Sequence, residues 1–298
     1  MSLQGLCTFA DQVCALSVLT NNEHLDALKE GVTSWMKPHT EKGLIRLARD
    51  GEWWVMVSEP LSPAPKRLAA IAGDFVQNLR AVLDYLVWQL VLREGEEPTE
   101  ANAFPICETK NGFIRDVKEP KRRERSALWR IPVDGGAWAI IEGAQPFNRP
   151  PGNQAFEPWG PAYHAPLAVL SRLSNADKHR SLLIDLTFPE QRTVLDAFGW
   201  SDDVTLVEQR ISALPLSYEL PTEVMRLRFA PSDRDPGMYM KGSPALNPTF
   251  GEEGAKPDRD GFTRGTQLSV NAGTAFLVGA VREVVEQVAL LPRVVGWE

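Results

Sequence analysis

Gly73-Asp74-Phe75-Val76-Gln77-Asn78-Leu79-Arg80-Ala81-Val82-Leu83-Asp84-Tyr85-Leu86 sits inside the stretch from Lys66 to Arg93, and the reading of that stretch decides the fold. Placed at about 100° per residue, its side chains separate into two faces. Val76, Leu79, Val82, Leu83, Leu86, Val87 and Leu90 share one side. Asp74, Gln77, Asn78, Arg80, Asp84, Tyr85 and Trp88 share the other. A fully solvated face is normally filled with Lys and Glu. Amides and aromatics beside single charges predict a face that is partly covered. The stretch therefore reads as a long core helix with neighbours on both sides.

A second helix with the same contrast runs from about Ala165 through Asp177, with Leu167, Val169, Leu170 and Leu173 as its apolar side. A polar cluster, Leu173-Ser174-Asn175-Ala176-Asp177-Lys178-His179-Arg180, closes it. Leu182 to Leu186 either continues this helix or begins a strand. Before the long helix, Gly43 to Ser58 predicts a β-hairpin, because Asp50-Gly51 separates two apolar runs. Asn21 or Asn22 is placed to cap a helix ending near Trp35 and Pro38. Asp134 to Gly143 reads as a short capped helix, and Pro146 to Pro161 as a long loop. Beyond Phe188 the period changes to two. Met225, Leu227 and Phe229 alternate with Arg226 and Arg228 as in a half-exposed strand. Thr193 to Phe198, Val204 to Gln209 and Gly237 to Lys241 are weaker strands, Glu252 to Gly265 reads as a loop, and Asn271 is placed to cap a final helix. The expectation is a single α+β domain over residues 1–298. Its helical core, a pair of helices, covers about 66–190. It is preceded by the hairpin and followed by a part over about 191–298 with antiparallel strands and a last helix.

The 298 residues are 43% hydrophobic and 24% charged, as in an ordinary globular chain. The net charge of −7 argues against general affinity for nucleic acid, while leaving room for a local basic patch. The densest basic run is Arg115, Lys118, Lys121, Arg122, Arg123, Arg125 and Arg130 against Asp116, Glu119 and Glu124, which reads first as a solvated face and second as a nucleic-acid contact. The three cysteines, Cys7, Cys14 and Cys107, include no CxxC pair, which fits a reducing compartment and offers no thiolate metal site. Met1 to Leu19 lacks a basic start and carries Asp11, so it does not read as a signal peptide. No run of 18 apolar residues exists to span a membrane. Together these predict a cytoplasmic protein with no membrane partner.

Helical spacing places Arg80 with Asp84, Asp74 with Asn78, and Asn175 with His179, each at i, i+4. If the two clusters pack together, Arg80, Asp84, Asn175, Asp177, Lys178 and His179 form one pocket, as helix pairs often do. His179 is the member suited to proton transfer near neutral pH. Arg80, Lys178 or Arg180 would stabilise an anionic transition state. Asn78, Arg180, Tyr85 and Trp88 would line the substrate. The competing reading is a register-fixing internal network, with Arg80–Asp84 as a structural pair. The Asp177-Lys178-His179-Arg180 run equally suits a polar last turn that complements the helix dipole. His164, Asp177, His179 and Asp84 include metal-ligand types but lack HxxxH or HxxEH spacing. No P-loop, GxGxxG or GxSxG motif is present, so neither cofactor nor metal is expected. Trp138 and Trp159 are the tryptophans expected to line a pocket.

Gly73, Asp74, Asn78, Leu79, Arg80, Leu83 and Asp84 match a Gly-Asp-x-x-x-Asn-Leu-Arg-x-x-Leu-Asp helix, and Asn175, Asp177, Lys178, His179 and Arg180 match Asn-x-Asp-Lys-His-Arg. In these motifs the chain resembles a large family of uncharacterised bacterial proteins common in actinobacteria. Ala103-Phe104-Pro105-Ile106 and Gln145-Pro146-Phe147 fit the same family, and the resemblance covers roughly residues 43 to 190. More remotely, the first helix resembles the HEPN superfamily. Many of its members are metal-independent ribonucleases of toxin–antitoxin and phage-defence systems. Their signature places His four to six residues after Arg, where this chain has Tyr85 after Arg80. The resemblance implies RNA as partner and a homodimer, with His179 standing in as base.

Three readings follow. The first is a HEPN-like ribonuclease or defence effector, in which His179 acts as base, Arg80 and Lys178 bind phosphate, and Asp84 and Asn175 position them. The second is a non-catalytic binding or structural module. The third is a metal-dependent or small-molecule enzyme.

Overall fold

The computed structural model describes residues 23–39, 45–60, 62–133, 135–148, 165–179, 182–187, 198–211, 220–231, 236–240, 247–252, 256–257, 263–264 and 267–291. The fold is α+β. The chain divides into two compact units, and both are discontinuous. One comprises Met1–Asp26, Ile71–Ser181 and Asn271–Glu298; the other comprises Ala27–Ala70 and Leu182–Val270.

The second unit carries the sheets. Helix α1, residues 23–39, buries Leu28, Val32 and Trp35, and Trp35 Nε1 donates to the Ser62 carbonyl at 3.1 Å. Strands β1 (Ile45–Asp50) and β2 (Trp53–Ser58) form the expected hairpin. Its turn lies one residue later than Asp-Gly suggests. Asp50 pairs with Trp53, which leaves Gly51-Glu52 as the loop. Gly51 adopts φ +59, a left-handed value that costs glycine little.

β3 (Leu182–Thr187) resolves the helix-or-strand alternative in favour of a strand. β4 (Phe198–Gly199), β5 (Leu206–Ile211), β6 (Thr222–Phe229), β7 (Tyr239–Met240), β8 (Asn247–Glu252), β9 (Lys256–Pro257), β10 (Thr263–Arg264) and β11 (Gln267–Ser269) follow. Pairing is antiparallel throughout, in the orders β1-β2-β6-β5, β11-β8-β3, β4-β7 and β10-β9. Alternation along β2 and β6 puts Met56, Met225 and Leu227 in the core. The opposite face holds Trp53, with Arg210 at 4.6 Å and Arg228 at 5.4 Å from its ring centre. Glu208 binds both arginines, and Arg226 binds Asp50 and Glu223. The strand expected over Gly237 to Lys241 is only the two residues of β7. Most of Thr193 to Phe198 lies outside the described residues.

The first unit is helical. Helix α2 (Lys66–Arg93) spans the predicted stretch, and the greater part of it belongs to this unit. Every residue of its predicted apolar face is at most 8% exposed. Then come α3 (Lys110–Phe113), a π turn over Ile114–Lys118, α4 (Gly136–Gly143), α5 (Pro166–His179) and α6 (Ala272–Ala289). Helices α4 and α5 pack on α6. Neither α4 nor α6 has a side-chain bond at its N-cap. Gly135 occupies the N-cap of α4, and Asn271 stands at the N-cap of α6 as expected. Trp138 is a core residue rather than a pocket wall. It is 6% exposed, its Nε1 donates to the Ile131 carbonyl at 2.9 Å, and its ring meets Phe113 edge-on. Trp159 lies outside the described residues.

Candidate functional site

The helical unit builds its polar core around one strap, Ala103-Phe104-Pro105-Ile106-Cys107. Arg80 and Asp84, one turn apart on α2, act on the same residue of that strap. Arg80 Nη2 donates to the Phe104 carbonyl at 2.6 Å, and the Phe104 amide donates to Asp84 Oδ1 at 2.9 Å. The two side chains also pair with each other at 2.9 Å. An irregular strap has no ladder to satisfy its backbone, so side chains must do it. Phe104 itself is fully buried, which makes those bonds costly to lose.

Gln145 extends this arrangement. It is 1% exposed, accepts from the Cys107 amide at 2.9 Å, and donates to the Pro105 carbonyl at 2.9 Å and the Ile141 carbonyl at 2.8 Å. Arg172 of α5 pairs with Glu108, just past the strap, at 2.9 Å. Burial pushes the Cys107 thiol above its ordinary range, and the charge of Asp116 adds to this.

The second cluster meets α2 at a different place. Gln77 Nε2 donates to the Ser174 carbonyl at 3.0 Å and to Asp177 Oδ2 at 3.1 Å, while Ser174 Oγ donates to Gln77 Oε1 at 3.1 Å. Gly73 makes room for this contact. A Cβ at that position would stand 2.3 Å from Asp177 Oδ1. Only a residue without a side chain allows the carboxylate so close to the α2 backbone.

The predicted site residues therefore separate into three groups. Arg80 and Asp84 are together, and Asp177 is joined to α2 through Gln77. Asn175, Lys178 and His179 are exposed on α5. His179 follows Asp177 by two residues, about 200° around the helix, so it leaves α5 on the side away from Gln77. No hydrogen bond or ion pair joins His179, Lys178 or Asn175 to Arg80 or Asp84. Of the residues expected to line a substrate, Asn78 is half-buried, while Tyr85 and Trp88 are 37% and 41% exposed. Arg180 and His164 lie outside the described residues. Gln145, Ser174 and Gly73 were missed as contributors. The available signal was a lone amide among apolar neighbours in Ala144-Gln145-Pro146-Phe147, and a glycine inside a long helix.

A groove of about 480 Å³ opens in the helical unit, lined in part by Gln145 of the polar core and by Ala165, Leu167, Val284, Glu283 and Gln287. Among the described residues no three His, Cys, Asp or Glu side chains are grouped to hold a metal ion. None of the described helices is long and apolar enough to cross a membrane. Compared with protein-family models, with curated proteins and with solved structures, the chain matches none.

Proposed function

We propose that this chain is a binding module whose two polar clusters are an internal scaffold. One observation carries the reading. Arg80, which a nuclease would need for phosphate, and Asp84, which would position it, are both committed to the backbone of Phe104. Such a pair fixes the strap and the register of α2. The groove between α5 and α6 is the ligand site of this module. Its volume falls in the usual range for small ligands, about 300–1,000 Å³, and its lining sets the aliphatic Ala165, Leu167 and Val284 beside the polar Gln145, Glu283 and Gln287. A cytoplasmic location belongs to the same proposal.

The second reading, a HEPN-like metal-independent ribonuclease of a toxin or defence system, is favoured by one feature. Asn175, Lys178 and His179 are exposed together on the last turns of α5, where a phosphodiester can reach them. It brings RNA as substrate and a homodimer, which sedimentation would detect.

RNA cleavage by the purified chain with EDTA present separates the two, with Arg80→Ala and His179→Ala beside wild type. The scaffold reading expects no cleavage, a thermal midpoint about 2 °C or more lower in Arg80→Ala, and none lower in His179→Ala. Cleavage that disappears in His179→Ala at an unchanged midpoint would replace it with the ribonuclease.

A further inference from the structure

The basic residues from Arg115 to Arg130 separate into two sets. Arg115 pairs with Asp116, Lys118 with Glu142 at 2.7 Å, and Arg130 with Glu96 at 3.6 Å and with the Glu97 carbonyl. Lys121, Arg122 and Arg125 are exposed and have no acidic partner among the described residues. Arg123, also exposed, lies 5.6 Å over the ring of Trp129. Four cations and one exposed carboxylate, Glu124, thus occupy five residues of a chain with 39 acidic side chains, and three of the cations have no acidic partner among the described residues.

The turn that presents them is firmly held. Ser126, 4% exposed, donates from Oγ to the Val117 carbonyl at 2.7 Å and from its amide to the Arg123 carbonyl at 3.0 Å. Asn102 Nδ2 donates to the Trp129 carbonyl at 2.8 Å, and Leu128 and Ile131 are buried. Arg130 adopts φ +74, a left-handed value rare outside glycine, with its side chain tied back to Glu97. A cationic surface on a fixed turn loses little backbone freedom when a partner binds.

We infer that residues 121–125, with Trp129, form a docking surface for single-stranded nucleic acid. Arginine forks suit phosphate oxygens, and Lys121, Arg122 and Arg125 have no acidic side chain to give up first. The flat guanidinium of Arg123, 5.6 Å over the Trp129 ring, offers with that indole a surface for an unpaired base, which a duplex does not present. The surface uses no residue of either polar cluster and none of the groove, so it goes beyond the scaffold reading and does not depend on it.

The test is fluorescence anisotropy of labelled oligouridylate and oligothymidylate, titrated with wild type, with K121Q/R122Q/R125Q and with Arg123→Lys. Salt is varied from about 50 to about 200 mM. All four substituted side chains are exposed, and thermal melts check that the variants fold. Three phosphate contacts on a single strand give a slope of log affinity against log salt of about −2. The triple variant should bind about tenfold or more weakly, with its slope near zero. Arg123→Lys keeps the charge and loses the stacking plane, so it should weaken binding about fivefold or more at an unchanged slope. No wild-type binding at low salt, or a triple variant that binds like wild type, overturns the proposal. Polyglutamate competing as well as the oligonucleotides, with Arg123→Lys unaffected, also overturns it and makes the turn an acidic-peptide surface. The readout is binding, so its failure is separate from the appearance of His179-dependent cleavage.

Discussion

At Gly73 the choice of residue is set by a neighbour 104 positions away along the chain rather than by the helix it belongs to. In an exposed helix, Gly→Ala gains about 1 kcal/mol. Here the new methyl would drive Asp177 off Gln77, and overpacking of this kind costs about 1–3 kcal/mol. Gly73→Ala should therefore lower stability in wild type and raise it in an Asp177→Ala background. Urea melts of the four proteins decide this; additive effects would show that Asp177 does not occupy the space beside Gly73. Arg80 and Asp84 were both legible as polar groups on a covered helix face. Their roles were not, because the same i, i+4 pair serves a phosphate site or a structural clamp equally well. What distinguishes them is Phe104, whose amide and carbonyl they hold.

At the level of elements, the Ala103 amide of the strap over residues 103–107 donates to the Ala127 carbonyl, but Phe104, Pro105 and Cys107 bond to side chains, and Gln145 supplies two of these bonds directly. Gln145→Ala leaves the Cys107 amide and Pro105 carbonyl unpaired, at about 1–3 kcal/mol for each buried group. Its effect should be local first. In wild type, burial keeps the Cys107 thiol protonated at pH values where a free cysteine begins to ionise, so alkylation near pH 8 should be slow. Mass spectrometry should find Cys107 labelled faster in Gln145→Ala; equal rates would mean that Gln145 does not secure the strap. The β1-β2-β6-β5 sheet has its own titrating contact. Glu208 is held below the ordinary carboxylate range by its hydrogen bond to Arg210 and then by Arg228. A carboxylate whose folded value is depressed stabilises the fold above its unfolded value, and the gain is lost as pH falls through the folded one. Wild type should therefore exceed Glu208→Gln in denaturant midpoint above about pH 5, and the gap should close below 4.5, the ordinary value for the group. A gap that persists in acid would place the effect outside this carboxylate.

Across the whole molecule, the acidic excess limits where anions can approach. The chain carries −7 at neutral pH, with a pI near 5.3. Self-repulsion should keep it dispersed at pH 7, and light scattering should rise to a maximum near pH 5.3. A maximum far from that value would indicate that surface patches, not net charge, control association. The two compact units were not visible in composition, because each is assembled from separated segments. Residues 27–70 join residues 182–270, and the last helix returns to the unit of α2. Only the join between residues 181 and 182 falls near a change of pattern, the switch to period two beyond Phe188, so a scan along the chain finds no unit as one continuous block.

The sequence by itself determined the elements whose signals are local. The α2 periodicity spans 28 residues, and the hairpin rests on one glycine-bearing turn between β-prone runs. The α+β class follows from those signals, together with the change to period two beyond Phe188. Only the tertiary structure decided what the polar residues do. Asp84 meets Phe104 across 20 residues, Gln145 meets Pro105 across 40, and Gln77 meets Ser174 across 97. Periodicity records which face of a helix is covered, since burial follows the average polarity of that face. It does not record what covers it, because a hydrogen bond depends on the position of one partner atom and the chain can bring that atom from anywhere.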